Sequence, residues 1–202
     1  MKILAIGRNY AKHIEELNNE RPDEPVVFGK PETAILKNNA PFYYPDFSND
    51  IHHEVEILIK ICKVGKNIDE RFAYKYYDEI GIGVDFTARD LQSKAKSKGL
   101  PWDLAKGFNG SAPISEFVPK SNFDLSNLNF SLKKDGRDVQ VGNTSMMLFS
   151  FEYIISYVSK FFMLKKGDII FSGTPEGVGP VQMGNRLEAF IEDKKMLDFE
   201  VK

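Results

Sequence analysis

An apolar run with two acids inside it, Ile51-His52-His53-Glu54-Val55-Glu56-Ile57-Leu58-Ile59, constrains this chain most. Its composition calls for a buried strand. On a strand, residues two apart share a face. Ile51, His53, Val55, Ile57 and Ile59 then line one side, and His52, Glu54, Glu56 and Leu58 the other. Glu54 and Glu56 point the same way, roughly 6–7 Å apart along the strand. Two carboxylates together on a buried strand repel each other and lose hydration. A raised pKa, a Lys or Arg partner, or a bound cation would offset this. An edge strand that leaves both glutamates in water would remove the problem altogether.

A third carboxylate favours the cation. Asp85 ends the apolar run Ile80-Gly81-Ile82-Gly83-Val84, where a side chain would emerge at the mouth of a site. Three carboxylates with water suit a hard divalent ion, Mg²⁺ or Mn²⁺. Zinc fits less well, because the set has no cysteine and no evident histidine ligand. Cys62 is the only cysteine, which excludes an internal disulfide and a thiolate cluster.

The 202 residues predict one domain spanning 1–202, and 42% apolar residues supply a core. A net charge of −2 gives no basic footprint, so neither nucleic acid nor an anionic membrane is an expected partner. The stretch 146–164 is apolar but broken by Glu152 and Lys160, which predicts a buried amphipathic helix rather than a membrane span. The segment MKILAIGRNY lacks a long apolar region and a cleavage site, so a cytoplasmic location is expected. Strands are expected at 1–6, 33–37, 51–61, 78–84, 114–118, 128–134, 168–173, 187–193 and 196–202. Helices are expected at about 9–19, over the segment beginning at Asp90 and stopping at Gly99, and at 146–162; Asp69–Lys75 reads as a helical turn, DGRD as a hairpin turn, and LPWDLAKGFNGSAP as loop. Many short strands with few helices and no βαβ alternation predict a mixed, mostly antiparallel α+β fold. The lone Gly81-x-Gly83 is weak as a nucleotide motif.

Further residues have the right chemistry, each with a plain alternative. His13 and Glu16 share a face on the first helix; a carboxylate that fixes a histidine tautomer makes a general base, although a surface pair has the same spacing. Arg89 and Gln92 share a face on the next helix and can bind carboxylate or carbonyl oxygens. Lys106, among Leu, Ala, Phe and Gly, is either a partly desolvated cation or an ordinary exposed lysine. Thr174, between glycines after a strand, lies in an anion cradle or in a tight turn.

In their order and spacing, GRNYAKHIEEL, HHEVE, VDFTARDLQ, LPWDLAKGF, IISYVSK and GDIIFSGTPEGVGPV resemble the fumarylacetoacetate hydrolase family over nearly the whole chain, closest to its single-domain acylpyruvase and oxaloacetate decarboxylase members. The resemblance implies a β-roll with few peripheral helices, in a homodimer. It implies Mg²⁺ or Mn²⁺ on Glu54, Glu56 and Asp85, with His52 and His53 packed and hydrogen-bonded rather than ligating. It implies a lid helix over about 9–19 carrying a His13–Glu16 dyad, Arg89, Gln92 and Thr174 as substrate-binding residues, and Lys106 in the active site. Met146 and the pair Phe151-Glu152 depart from the family pattern, which places the wall around the substrate's distal group in question. The implied reaction is metal-dependent hydrolysis of a small 2,4-diketo acid, an acylpyruvate, to pyruvate and a carboxylic acid. Decarboxylation of oxaloacetate or isomerisation of 2-hydroxyhepta-2,4-diene-1,7-dioate on the same site is the alternative, and a catalytically silent metal-binding protein is a third reading.

Overall fold

The computed structural model describes residues 1–16 and 20–202. The strands, in chain order, are β1 (Ile3–Gly7), β2 (Val26–Lys30), β3 (Ile35–Leu36), β4 (Ile51–His53), β5 (Val55–Ile61), β6 (Tyr77–Val84), β7 (Thr87–Ala88), β8 (Ala112–Pro113), β9 (Val118–Pro119), β10 (Asn129–Lys134), β11 (Arg137–Asn143), β12 (Ile169–Phe171), β13 (Gly179–Pro180), β14 (Arg186–Ile191) and β15 (Lys194–Glu200). The helices are α1 (Ala11–Glu16), α2 (Glu70–Ala73), α3 (Arg89–Lys98), α4 (Asp103–Lys106) and α5 (Phe151–Phe161). The main sheet has the order β2-β1-β12-β5-β6-β9, and a second sheet the order β11-β10-β14-β15. Short ribbons β13-β4-β7 and β3-β8 complete the set. Among the described residues the strands pair antiparallel except β1 with β12 and β3 with β8, so the fold is the α+β class expected.

Strand β5 is buried on both faces, and this positions the site. Val55, Ile57, Ile59 and Ile61 join the larger core with Ile80, Ile82 and Val84 of β6 and with Ile154, Ile155 and Val158 of α5. On the other face, Leu58 packs with Ile3, Ala5, Ile114, Ile169 and Phe171 in a thinner layer. By alternation Glu56 lies on the Leu58 face. Gly83 stands opposite Glu56 and Gly81 opposite Leu58. A Cβ on Gly83 would come within 2.9 Å of both Leu58 Cδ1 and Pro113 O. The Gly-x-Gly therefore makes room for the 113–115 segment to cross this face, and has no nucleotide role to fill.

Several elements differ from expectation. The run 51–61 is two strands, because at Glu54 the chain passes from the short ribbon into the main sheet: β4 pairs with β7 and β13, β5 with β6 and β12. Segment 26–30 forms a strand that sequence does not announce, and it pairs along the whole of β1. The expected strand 33–37 is a 3₁₀ turn followed by β3, and 114–118 is a single bridge, Gly83 to Ile114, and an unpaired stretch that reaches β9 only at Val118. Helix α5 starts at Phe151, not 146: Asn143 Oδ1 accepts from Ser145 N–H at 2.8 Å to cap a separate 3₁₀ turn, and Ser150 Oγ accepts from Tyr153 N–H at 3.1 Å to cap the helix. The stretch read as loop at 100–113 contains the single turn α4, whose Lys106 N–H returns to Trp102 O at 2.9 Å. Elsewhere the patterns hold. DGRD gives a two-residue hairpin with Asp135 and Gly136 both at positive φ, 53° and 78°, as a primed turn requires. Gly99 ends α3 at φ 63°. Leu197, Phe199 and Val201 are buried as alternation demands. No described helix is long and apolar enough to cross a membrane.

Candidate metal centre and active site

Glu54, Glu56 and Asp85 are all buried, and each offers an oxygen within 4.8 Å of the others. The backbone brings them together. Asp85 N–H donates to Glu54 O at 2.7 Å just where β5 and β6 diverge, and Glu56 follows two residues along on the same face.

Three cations meet this cluster. Lys106 Nζ donates to Glu54 Oε2 at 2.8 Å, Asp85 Oδ2 at 2.7 Å and Thr87 Oγ1 at 2.6 Å. Arg89 Nη2 donates to Glu54 Oε1 at 2.5 Å. Lys30 Nζ, fully buried, lies 2.6 Å from Asp85 Oδ1 as an ion pair without hydrogen-bond alignment. Lys30 also donates to the carbonyl of Lys106 and to both oxygens of Ser111. Burial alone would raise the Glu54 pKa, but the charges of Lys106 and Arg89 overcome it and hold the carboxyl well below its ordinary range. Burial likewise opposes the charge on Lys106, and Asp85 and Glu54 outweigh it, so its pKa is raised.

Glu56 is the exception. Its Oε2 accepts from Gly173 N–H at 2.6 Å, but among the described residues no ammonium or guanidinium lies within ion-pair distance of it. Burial, then the charges of Asp85 and Glu54, push its pKa well above the carboxylate range. A buried acid held between two other acids, with no cation of its own, is what a divalent ion would relieve. Three carboxylates with a lysine at their edge fit Mg²⁺ or Mn²⁺.

One pocket is lined by His13, Glu54, Glu56, Asp85, Arg89, Gln92, Lys106 and Thr174. Glu16 stands behind His13. Its Oε2 is 3.2 Å from His13 Nδ1, and its Oε1 accepts from Gly177 N–H at 3.0 Å. A carboxylate only accepts, so Nδ1 carries the proton and Nε2 is the basic nitrogen. Burial lowers the His13 pKa, against the pull of Glu54 and Glu16. Gln92 Oε1 accepts from Arg89 Nη1 at 2.6 Å, which holds the guanidinium against Glu54. Thr174 Oγ1 accepts from Gln140 Nε2 at 2.9 Å. His52 pairs with Asp50 at 2.8 Å and His53 Nδ1 with Gln140 Oε1 at 3.0 Å; neither is in the carboxylate group. Residues 17–19 of the expected lid helix lie outside the described residues. Met146 is exposed, and Phe151 and Glu152 line a different groove, where Glu152 accepts from Tyr77 O–H at 2.6 Å. The departures from the family pattern therefore lie outside the residues that line this pocket.

Sequence reading missed the residues that hold the site from behind. Lys30 ends a strand that was not read. Gln140 bonds Val55 N–H, His53 and Thr174 at once from the exposed-looking alternation of β11. Asn9, fully buried, ties the start of α1 to Phe149 and to Ser172 O at the end of β12. Arg8, Phe28, Lys96 and Trp102 also line the pocket.

The profile described as fumarylacetoacetate (FAA) hydrolase C-terminal matches residues 2–202. The mitochondrial oxaloacetate tautomerase of Bos taurus is 44% identical over 200 residues, covering 98% of this chain and 90% of the relative. The mitochondrial oxaloacetate decarboxylase of Dictyostelium discoideum is 45% identical over 192 residues, covering 94% and 88%. The crystal structure of fumarylpyruvate hydrolase from Pseudomonas aeruginosa with Mn²⁺ and pyruvate superposes with a TM-score of 0.94 at 33% identity, covering all of this chain and 89% of the other.

Proposed function

The chain belongs to the fumarylacetoacetate hydrolase family, and from that premise we propose that it is a divalent-metal-dependent enzyme acting on oxaloacetate through its enol, by tautomerisation and decarboxylation. The observation that carries this reading is the closeness of three buried carboxylates to one another and to Lys106. Relatives at 44–45% identity bear the two oxaloacetate activities in their names.

Glu54, Glu56 and Asp85 would hold Mg²⁺ or Mn²⁺. When bound, the ion supplies Lewis-acid polarisation of the 2-oxo group and its neighbouring carboxylate. Lys106, charged because two carboxylates keep it so, places a positive charge where negative charge develops on the substrate's oxygen. Arg89, steadied by Gln92, and Thr174, steadied by Gln140, hold the remaining oxygens. His13 is neutral near pH 7, and its Nε2 takes or returns the proton at C3, which interconverts the keto and enol forms. Decarboxylation breaks the C3–C4 bond instead, releases CO₂ and leaves the electron pair on the pyruvate enolate, which a proton then quenches. By the same resemblance the working form is a homodimer.

The acylpyruvate reading stays second. The fumarylpyruvate hydrolase match and the His13–Glu16 pair favour it, since a base that activates water would let the same site cut a 2,4-diketo acid. Metal-depleted protein given oxaloacetate, then Mn²⁺ or Mg²⁺, tests both. Metal-dependent relaxation of enol absorbance with pyruvate formation is expected. Turnover of acetylpyruvate with none of oxaloacetate would move the assignment to hydrolysis, and turnover of either at full rate without metal would overturn the ion's role.

A further inference from the structure

The pocket has a second wall, of which the roles assigned above use Arg89, Gln92 and Lys106 but not Lys96, Phe28 or Trp102. Helix α3 presents Arg89, Gln92 and Lys96 to the pocket at the i, i+3, i+7 spacing of one helix face. Lys96 Nζ sits over the Trp102 ring, 5.4 Å from its centroid. Trp102 packs on Phe28 at 5.8 Å, and Phe28 in turn faces Lys106 Nζ at 5.1 Å. An aromatic ledge thus runs from the inner lysine to the outer one. Arg8 joins the same wall from the end of β1, with its backbone at φ 60°, a left-handed conformation uncommon for a residue with a side chain.

The charges on this wall do not balance. Lys106, Arg89 and Lys30 each meet a carboxylate of the cluster. Among the described residues Lys96 pairs with none. Partial burial, followed by the charges of Arg89 and Arg8, brings its pKa down to about 8. A cation held close to other cations is a place for an anion. With Lys30, Arg89, Lys96 and Lys106 set against three carboxylates, a divalent ion would leave the site with a surplus of positive charge. A single substrate carboxylate would not use that surplus.

We propose that Lys96, with Arg8 beside it, binds the distal carboxylate of a 2-oxo dicarboxylic acid and makes the enzyme selective for doubly charged substrates over monocarboxylic 2-oxo acids. This rests on the reading in which the substrate's 2-oxo acid end meets the metal cluster.

The test compares two ligands on the metal-loaded protein. Oxaloacetate reports both ends through its KM, and pyruvate, as a competitive inhibitor, reports the metal end alone. Lys96→Met removes one charge-assisted contact, so KM for oxaloacetate should rise about 10- to 100-fold. The pyruvate inhibition constant should move less than twofold, and Lys96→Arg should restore most of the loss. An unchanged KM for oxaloacetate in Lys96→Met overturns the proposal. So does an equal loss for both ligands, which would mark Lys96 as structural. If pyruvate fails to bind unmodified protein in a metal-dependent way, the metal-end reading itself fails, the proposal falls with it, and that result is in hand before any variant is made.

Discussion

Glu16 accepts the backbone N–H of Gly177 at 3.0 Å while its second oxygen faces His13 Nδ1 at 3.2 Å. One carboxylate therefore orients the proposed base and pins α1 to the glycine loop that carries Thr174. Lys12 and Glu176 add an exposed ion pair at 3.4 Å across the same junction. Glu16→Ala should lower the His13-dependent kcat by about 100-fold and leave Mn²⁺ affinity within twofold. Steady-state kinetics beside calorimetric metal titration checks both; an unchanged kcat would remove the pair from the chemistry.

Among the described residues Glu56 has no cation of its own, and burial with the charges of Asp85 and Glu54 opposes its ionisation. Glu56→Gln keeps an acceptor for Gly173 N–H and deletes the repulsion with Asp85 and Glu54. The metal-free variant should melt above the metal-free parent. It should also lose Mn²⁺ affinity by at least about 100-fold, since even groups that merely support metal ligands are worth 10- to 100-fold. A parent-like metal titration would sink the three-carboxylate site.

Burial lowers the His13 pKa, and Glu54 and Glu16 only partly offset it. The base works unprotonated, so acidification switches it off only once the pH falls through that lowered value. The plateau of kcat/KM should extend to the acid side of the ordinary histidine value of about 6.5. His13→Gln should lack that acid limb. An acid limb with its midpoint above 6.5 in the parent would contradict the burial argument.

Gly177 has φ +92°, and a Cβ there would stand 2.2 Å from Val139 O. Gly177→Ala should cost about 2–4 kcal/mol, the backbone strain and the overpacking together. The same clash displaces the N–H that Glu16 accepts, so stability in urea and kcat should fall together. Retained stability would mean that the loop tolerates a different path.

Lys30 is a buried ammonium whose partners are Asp85, Ser111 and the Lys106 carbonyl. Lys30→Met leaves Asp85 Oδ1 dry and without its cation, and should destabilise the metal-free protein by about 3–5 kcal/mol, measured by urea unfolding. A loss under 1 kcal/mol would show that water reaches Asp85.

What sequence could reveal divides along physical lines. Period-2 alternation put Glu54 and Glu56 on one face, and the apolar strand before Asp85 put that acid at its end; both signals are local. Helical spacing likewise paired His13 with Glu16 and Arg89 with Gln92. The supports of the site are non-local and left no such mark. Lys30 ends a half-buried strand whose meaning depends on pairing with β1. Gln140 looks like any polar residue of an alternating hairpin until three partners from β4, β5 and the glycine loop converge on it. Glu54 itself sits where the chain changes sheets, an event set by β7 and β13 rather than by the residues around it.

Strand β1 lies in the main sheet between β2 and β12, and pairs with β12 in parallel. On the ribosome, β1 must wait for residues 169–171, roughly ten to thirty seconds at 5–20 residues per second. Until then a nascent chain carries Glu54, Glu56 and Asp85 but lacks the Gly173 N–H that fixes Glu56 and the Ser172 carbonyl that anchors Asn9. The cation site is therefore assembled only after β12 and the glycine loop have emerged, so that competence to hold an ion follows the pairing of two strands more than 160 residues apart.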